Sequence, residues 1–296
     1  MHGKHEYYYL VKNIRISPTE VRKFRIFLGR GVPEKEVMER HIKELEKRAL
    51  GTRFDAKWLP GEVIEKVDDV IATYITYKSG AAHFMQKDFL VRYTYNTNAM
   101  EGNQLSLRQT ALVLVDKVTP EGARTEDVLE ALNAVDAWNY IQSYKGVPGK
   151  KFLLRIQYEV TKNTSCRIQG RFRDGDVLIA GSNHVPPRSE KVRELIDNLS
   201  VEYQTLKKDL HPLELAAFMH NRLVNIHPFT DGNGRTARLV LNWILNKNRI
   251  PPVIIESSIR EKYYRVIEDA DKGNHVPFAV FLAKQLLDQY TKPGSD

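Results

Sequence analysis

His227 to Arg238 reads His-Pro-Phe-Thr-Asp-Gly-Asn-Gly-Arg-Thr-Ala-Arg. This short run brings together a side chain able to accept a proton near neutral pH, a carboxylate, an Asn between two glycines, and two arginines. Helix interiors avoid paired glycines because of the backbone entropy they lose, and ordinary turns need no His and Arg together. Chemistry on phosphate uses all of these parts.

Gly232 and Gly234 let the backbone come close to an anion, and a helix beginning there would add free N–H groups and the positive end of its dipole. Arg235 and Arg238, three residues apart on one helix face, supply charge-assisted donors that match phosphate oxygens. Asp231 beside such a cradle would repel phosphate unless a cation bridged the two. Mg²⁺ prefers one or two carboxylates together with phosphate oxygens, so the carboxylate argues for a metal-bound nucleotide. His227 is the residue of the run suited to act as general base on an attacking hydroxyl.

These groups need rigid supports on both sides. From Pro212 to Ile226 the apolar positions Leu215, Phe218, Met219, Leu223 and Ile226 follow helical spacing, and Pro228 disfavours further helix at His227. A second helix from Arg235 to Asn246 carries Leu239, Val240, Trp243 and Ile244 inward. Helical patterns also fit Val63 to Tyr74, Val128 to Ile141, Phe152 to Val160, Lys191 to Leu206, Ile259 to Lys272 and Pro277 to Tyr290. Ser106 and Gln109 form a capping box at the start of a helix carrying Leu112 and Val115, so the helix before it must end near Gly102. The expected fold is mainly α.

Two stretches break the helical pattern. Tyr7 to Ile16 and Lys23 to Leu28 read as strands of a β-hairpin with Ser17-Pro18-Thr19 as the turn, followed by a helix from Glu34. Gly51 to Gly61 is the best linker candidate, giving an appendage over 1–60 and a catalytic domain over 61–296. Within that domain, Asp174-Gly175 between two extended runs predicts a second hairpin in 167–179. An unpaired strand edge beside an active site could hold an extended peptide by strand addition.

Composition limits the alternatives. The 296 residues carry 45 Lys+Arg against 37 Asp+Glu, a net +8, but the basic residues are dispersed and no specific nucleic-acid interface is expected. Cys166 is the one cysteine, which excludes an intrachain disulfide and points to a reducing compartment. The N-terminus lacks a signal-peptide layout, and no apolar run approaches the roughly 20 residues of a membrane span. A cytoplasmic protein without a membrane partner is expected.

The run resembles the motif of the FIC-domain family, His-x-Phe-x-(Asp/Glu)-Gly-Asn-Gly-(Arg/Lys)-x-x-Arg. His227, Phe229, Asp231, Gly232, Asn233, Gly234, Arg235 and Arg238 match it without a gap. The resemblance extends over about Phe89 to Gln289, and Ala237 departs from the Gly that many members carry. It implies a FIC-like helical bundle that moves AMP from Mg²⁺-bound ATP to a Ser, Thr or Tyr hydroxyl of a target protein, releasing pyrophosphate. His227 would be the base, Asp231 the Mg²⁺ ligand, and Gly232, Asn233 and Gly234 the anion hole. Arg235 and Arg238 would hold the terminal phosphates. Gly170, Arg171, Phe172 and Arg173 would belong to a target-docking flap, at about 167–182.

Thr97 to Asn103 likewise resembles the family's inhibitory motif, (Ser/Thr)-x-x-x-Glu-(Gly/Asn), placed before the catalytic run. The resemblance makes Glu101 an inhibitory residue that pairs with Arg238 and takes that arginine from the nucleotide. Removal of AMP, another transferred group or a kinase-like reaction, and a non-catalytic nucleotide sensor are the alternatives. The sequence names no target protein, and leaves open self-modification and homo-oligomer formation.

Overall fold

The coordinates are those of a computed structural model, which describes residues 8–17, 20–29, 31–50, 56–77, 82–179 and 181–291. They divide into two compact units, 1–55 and 56–296. In the first, strands β1 (Tyr8–Ser17) and β2 (Glu20–Gly29) pair antiparallel with Tyr9 opposite Phe27 and Leu10 opposite Ile26. Helix α1 (Lys35–Leu50) packs against both strands, and Ile26 is buried. Pro18 and Thr19 of the expected turn lie outside the described residues.

The second unit is helical. Its elements are α2 (Gly61–Tyr77), α3 (Ala82–Ala99), α4 (Leu107–Ala111), α5 (Thr125–Ser143), α6 (Lys150–Thr161), α7 (Val192–Leu206), α8 (Pro212–Ile226), α9 (Asn233–Lys247), α10 (Arg260–Asp271) and α11 (Val276–Tyr290). The expected capping box is present: the Ser106 hydroxyl accepts from Gln109 N at 3.1 Å, and Gln109 Oε1 accepts from Ser106 N at 2.9 Å. After α4 the chain winds as a π turn over Leu112–Asp116 and leaves it at Lys117, in the left-handed region.

The helices α8 and α9 form the central pair, with α5 and α6 against α9 and with α7, α10 and α11 against α8. Apolar spacing explains the arrangement, because each helix turns one stripe toward the centre. Trp243 of α9 is buried among Phe152, Tyr203 and Tyr144, with ring centroids 5.0, 5.7 and 6.1 Å away. This aromatic block fixes α9 and therefore the loop before it.

Two stretches depart from the sequence reading. The first is the linker. Residues 51–55 lie outside the described residues, but Lys57, Trp58 and Leu59 are anchored: their N–H groups donate to the Glu214 carboxylate at 3.2, 2.7 and 2.9 Å. His211 N adds a fourth bond at 3.3 Å. Glu214 is wholly buried, and a buried carboxylate must be met by donors. A Pro- and Gly-containing stretch that looked like slack chain supplies them.

The second is the flap. No strand forms among the described residues of 167–182; Asp174-Gly175 is a bend in an irregular segment. Its polar groups are engaged elsewhere. Gly170 N donates to Gln157 Oε1, Arg173 N donates to Pro228 O at 3.0 Å, and Asp176 Oδ1 accepts from Ser189 N at 2.7 Å. Two backbone N–H groups of the stretch are therefore turned away from cross-strand pairing.

Candidate active site

Helix α8 begins with Pro212 at its first turn and a His211–Glu214 capping box, and it ends at His227. The His227 N–H bonds Leu223 O at 3.0 Å, and the residue adopts φ 48 and ψ 60, left-handed although it is not glycine. The following Pro228 makes that conformation harder still to reach. Phe229 is fully buried against Phe172, with ring centroids 5.6 Å apart. The loop is then closed by Asn233, whose Oδ1 accepts from Phe229 N at 2.9 Å while its Nδ2 donates to Phe229 O at 2.8 Å. Gly232 turns the chain at φ +81, where a Cβ would press on Val160 and Thr161.

Helix α9 starts immediately after this turn, so its first N–H groups have no carbonyl above them. Above Gly234 lies the carboxylate of Glu101. A Cβ at Gly234 would collide with Glu101 Oε1 and stand 3.0 Å from Arg238 Nη1. Glu101 Oε1 accepts from Arg238 Nη2 at 2.6 Å. The rest of that guanidinium is held by Thr97, through its Oγ1 at 2.8 Å and its carbonyl at 2.9 Å, and by the Tyr263 hydroxyl at 3.4 Å. Burial works against the Glu101 carboxylate, but Arg238 and Arg235 outweigh it and hold its pKa below the usual value.

Arg235 is also occupied. It bonds Glu130 Oε1 at 2.7 Å and both Asp231 oxygens at 3.1 Å. Asp231 further accepts from Gly232 N at 2.6 Å, yet its side chain remains 50% exposed. Glu130 in turn receives Asn103 Nδ2 at 2.8 Å. The segment 97–103 therefore reaches the first turns of α9 twice: directly through Glu101, and through Glu130 by way of Asn103.

The His227 imidazole is half-buried, and its Nδ1 makes no hydrogen bond among the described residues. Burial lowers its pKa, and although the Val224 backbone opposes this, Arg173 lowers it further. The neutral ring is thus favoured. His220, one helical period earlier, is fully buried: its Nε2 meets the Tyr263 hydroxyl at 2.9 Å, and burial pushes its pKa down to about 3. It supports Tyr263 behind Arg238.

The expected flap residues divide. Arg171 is exposed, Phe172 stacks on Phe229, and Gly170 is tied to Gln157. Arg173 turns inward. Gln157 links the same stretch to the loop, since its Nε2 donates to Ile168 O and Asp231 O, both at 3.3 Å. Sequence reasoning missed Glu130, Gln157 and Tyr263, which lie on helices with no local pattern to mark them. Thr97 lay within a motif already noted.

The Fic/DOC family model matches residues 149–245. The protein adenylyltransferase Fic of Nematostella vectensis is 33% identical over 253 residues, covering 81% of this chain and 58% of that protein. Its counterpart in Culex quinquefasciatus is 32% identical over 240 residues, covering 77% and 47%. The chain therefore spans about half the length of these curated relatives. Among solved structures, a Fic domain containing signaling protein from Bacteroides thetaiotaomicron has a TM-score of 0.70 at 25% identity, covering 77% of this chain and 94% of that one. Fic-1 from C. elegans also has a TM-score of 0.70, at 26% identity, covering 88% and 77%.

Proposed function

The chain is a Fic-domain protein, and from that premise we propose that it transfers AMP from ATP to a hydroxyl group of a target protein and is restrained by its own Glu101. In this reaction the hydroxyl oxygen attacks the α-phosphorus, the bond to pyrophosphate breaks, and His227 takes the hydroxyl proton. The observation that carries the reading is the Glu101 carboxylate seated above Gly234 and bonded to Arg238. An anionic group of the protein rests where the α9 N-terminus and an arginine would receive a phosphate.

Each residue has a part. The α9 N-terminus and Gly234 would cradle phosphate oxygens once Glu101 withdraws, and Arg235 and Arg238 would turn from carboxylates to the nucleotide. Asn233 keeps the loop closed through Phe229, with both polar atoms of its side chain engaged. Asp231 suits Mg²⁺, because its half-exposed carboxylate can provide one oxygen ligand while the phosphates provide others. The ion would neutralise phosphate charge when bound. Positioning and charge neutralisation carry such a transfer.

Incubation of the chain and candidate target proteins with Mg²⁺ and ATP labelled at either the α or the γ phosphate tests this proposal. The expected result is label from the α position alone, increased in Glu101→Gly and lost in His227→Ala. Transfer from the γ position would instead establish a kinase. Confirmed ATP binding with no label in any variant would establish a nucleotide sensor.

A further inference from the structure

Arg173 belongs to a stretch expected to face a target, yet its side chain is enclosed, at 3% exposure for the residue. Nε donates to His227 O at 2.8 Å, Nη1 to Gly175 O at 2.9 Å, and Nη2 to Pro187 O. Its main-chain N–H donates to Pro228 O at 3.0 Å. One carboxylate, the largely exposed Asp176, stands 3.7 Å from Nη1. The cation is thus met mainly by carbonyl dipoles. Enclosing a charge in this way costs more than enclosing a neutral side chain, so stability alone does not call for arginine here.

What the guanidinium grips is informative. His227 holds a left-handed conformation before a proline, a geometry that persists only where its surroundings impose it. Its N–H is fixed by Leu223 O, and its carbonyl is fixed by Arg173 Nε. The next carbonyl, of Pro228, is fixed by Arg173 N. One residue therefore holds two successive carbonyls of the strained corner and joins them to Gly175 and Pro187.

We propose that Arg173 is a positioning residue for His227, holding the backbone corner from which the imidazole projects and locking that corner to the 173–187 stretch. The proposal rests on the reading of His227 as general base. It makes the flap and the base one mechanical body, so a target peptide settling on the flap is in register with His227. Electrostatics acts in the same sense. Beyond the dominant effect of burial and the opposing Val224 backbone, Arg173 and His184 disfavour the protonated imidazole and Glu101 favours it.

The test uses Arg173→Lys and Arg173→Gln in the full chain carrying Glu101→Gly. Lysine keeps the charge but lacks the planar fork that spans three separated carbonyls, so kcat should fall at least about tenfold with KM for ATP changed less than about twofold. Arg173→Gln should show the same kcat loss and also raise the imidazole pKa of His227, followed by NMR titration. Parental kcat in Arg173→Lys, or a loss confined to KM for ATP, would overturn the proposal.

A readout independent of activity and of folding of the variants is the Arg173 Nε–H of the unmutated chain. Slow exchange with water supports the grip on His227 O, and exchange as fast as that of an exposed arginine overturns it. Were His227 not the base, Glu101→Gly would still label protein when it also carries His227→Ala. The titration and the exchange would still report on Arg173, so the two failures are distinguishable.

Discussion

Glu101 Oε1 and Arg238 Nη2 are 2.6 Å apart, and the same carboxylate oxygen fills the space above Gly234. One side chain therefore covers the start of α9 at Gly234 and engages Arg238. The Glu101 side chain is 29% exposed, so the pair is open to water on one side and can part without unfolding the site. Arg238 has further partners in Thr97 and Tyr263.

Glu101→Gly should tighten ATP binding, because the nucleotide no longer displaces a carboxylate. A coupling of about 1.4–3 kcal/mol corresponds to roughly 10- to 150-fold in Kd. Glu101→Gln, which keeps the shape but not the charge, should fall between wild type and Glu101→Gly. Calorimetric titration with ATP and Mg²⁺ measures both. Equal affinity in all three proteins would remove the basis for restraint by Glu101.

Gly234→Ala separates blocking the cradle from freeing it. The new Cβ meets Glu101 Oε1 and crowds Arg238, so it must push Glu101 away while occupying the space a phosphate would use. Displacement of Glu101 without activation is the expected outcome, with ATP affinity at least about tenfold below that of Glu101→Gly. An activated Gly234→Ala enzyme would show that phosphate does not approach this glycine.

Glu214→Ala should cost about 2–4 kcal/mol of stability, since four backbone N–H groups lose their shared acceptor. Urea denaturation measures this, and a loss below about 0.5 kcal/mol, the usual range for a surface change, would contradict the anchoring role.

Stability should also fall with acid before the carboxylates titrate. Burial lowers His220 to about 3 and His211 to about 4, so the folded chain refuses protons that the unfolded chain accepts. That contribution is complete above the unfolded value near 6.5 and is lost as pH falls from about 6.5 toward the folded values. The slope should reach at most about 1.4 kcal/mol per pH unit for each histidine. Urea midpoints from pH 7.5 to 4.5 give the curve, and His220→Gln should flatten it. A midpoint constant from pH 7 to 5 would refute the prediction.

The helices were legible in the chain because 3.6-residue spacing is a local property, and the His227–Arg238 loop was legible because its residue types are uncommon together. The flap was misread as a hairpin because Asp174-Gly175 signals a hairpin only if the flanking backbone is free to pair, and the Gly170 and Arg173 N–H groups answer to Gln157 and Pro228. Glu130 was invisible for a related reason. It lies 105 residues from Arg235, and nothing in its own helix distinguishes it from a solvated glutamate. Partners chosen by the tertiary fold leave no mark in a local pattern.

Glu214 gives α8 an obligation at each end: its first turn receives the N–H groups of residues 57–59, and its last residue leads into His227. A fragment beginning at Gly61, where the apparent linker ends, would leave a wholly buried carboxylate with His211 N as its remaining donor. The shortest self-sufficient fragment of the helical unit must therefore start no later than Ala56, and the five residues before Gly61 belong to its foundation.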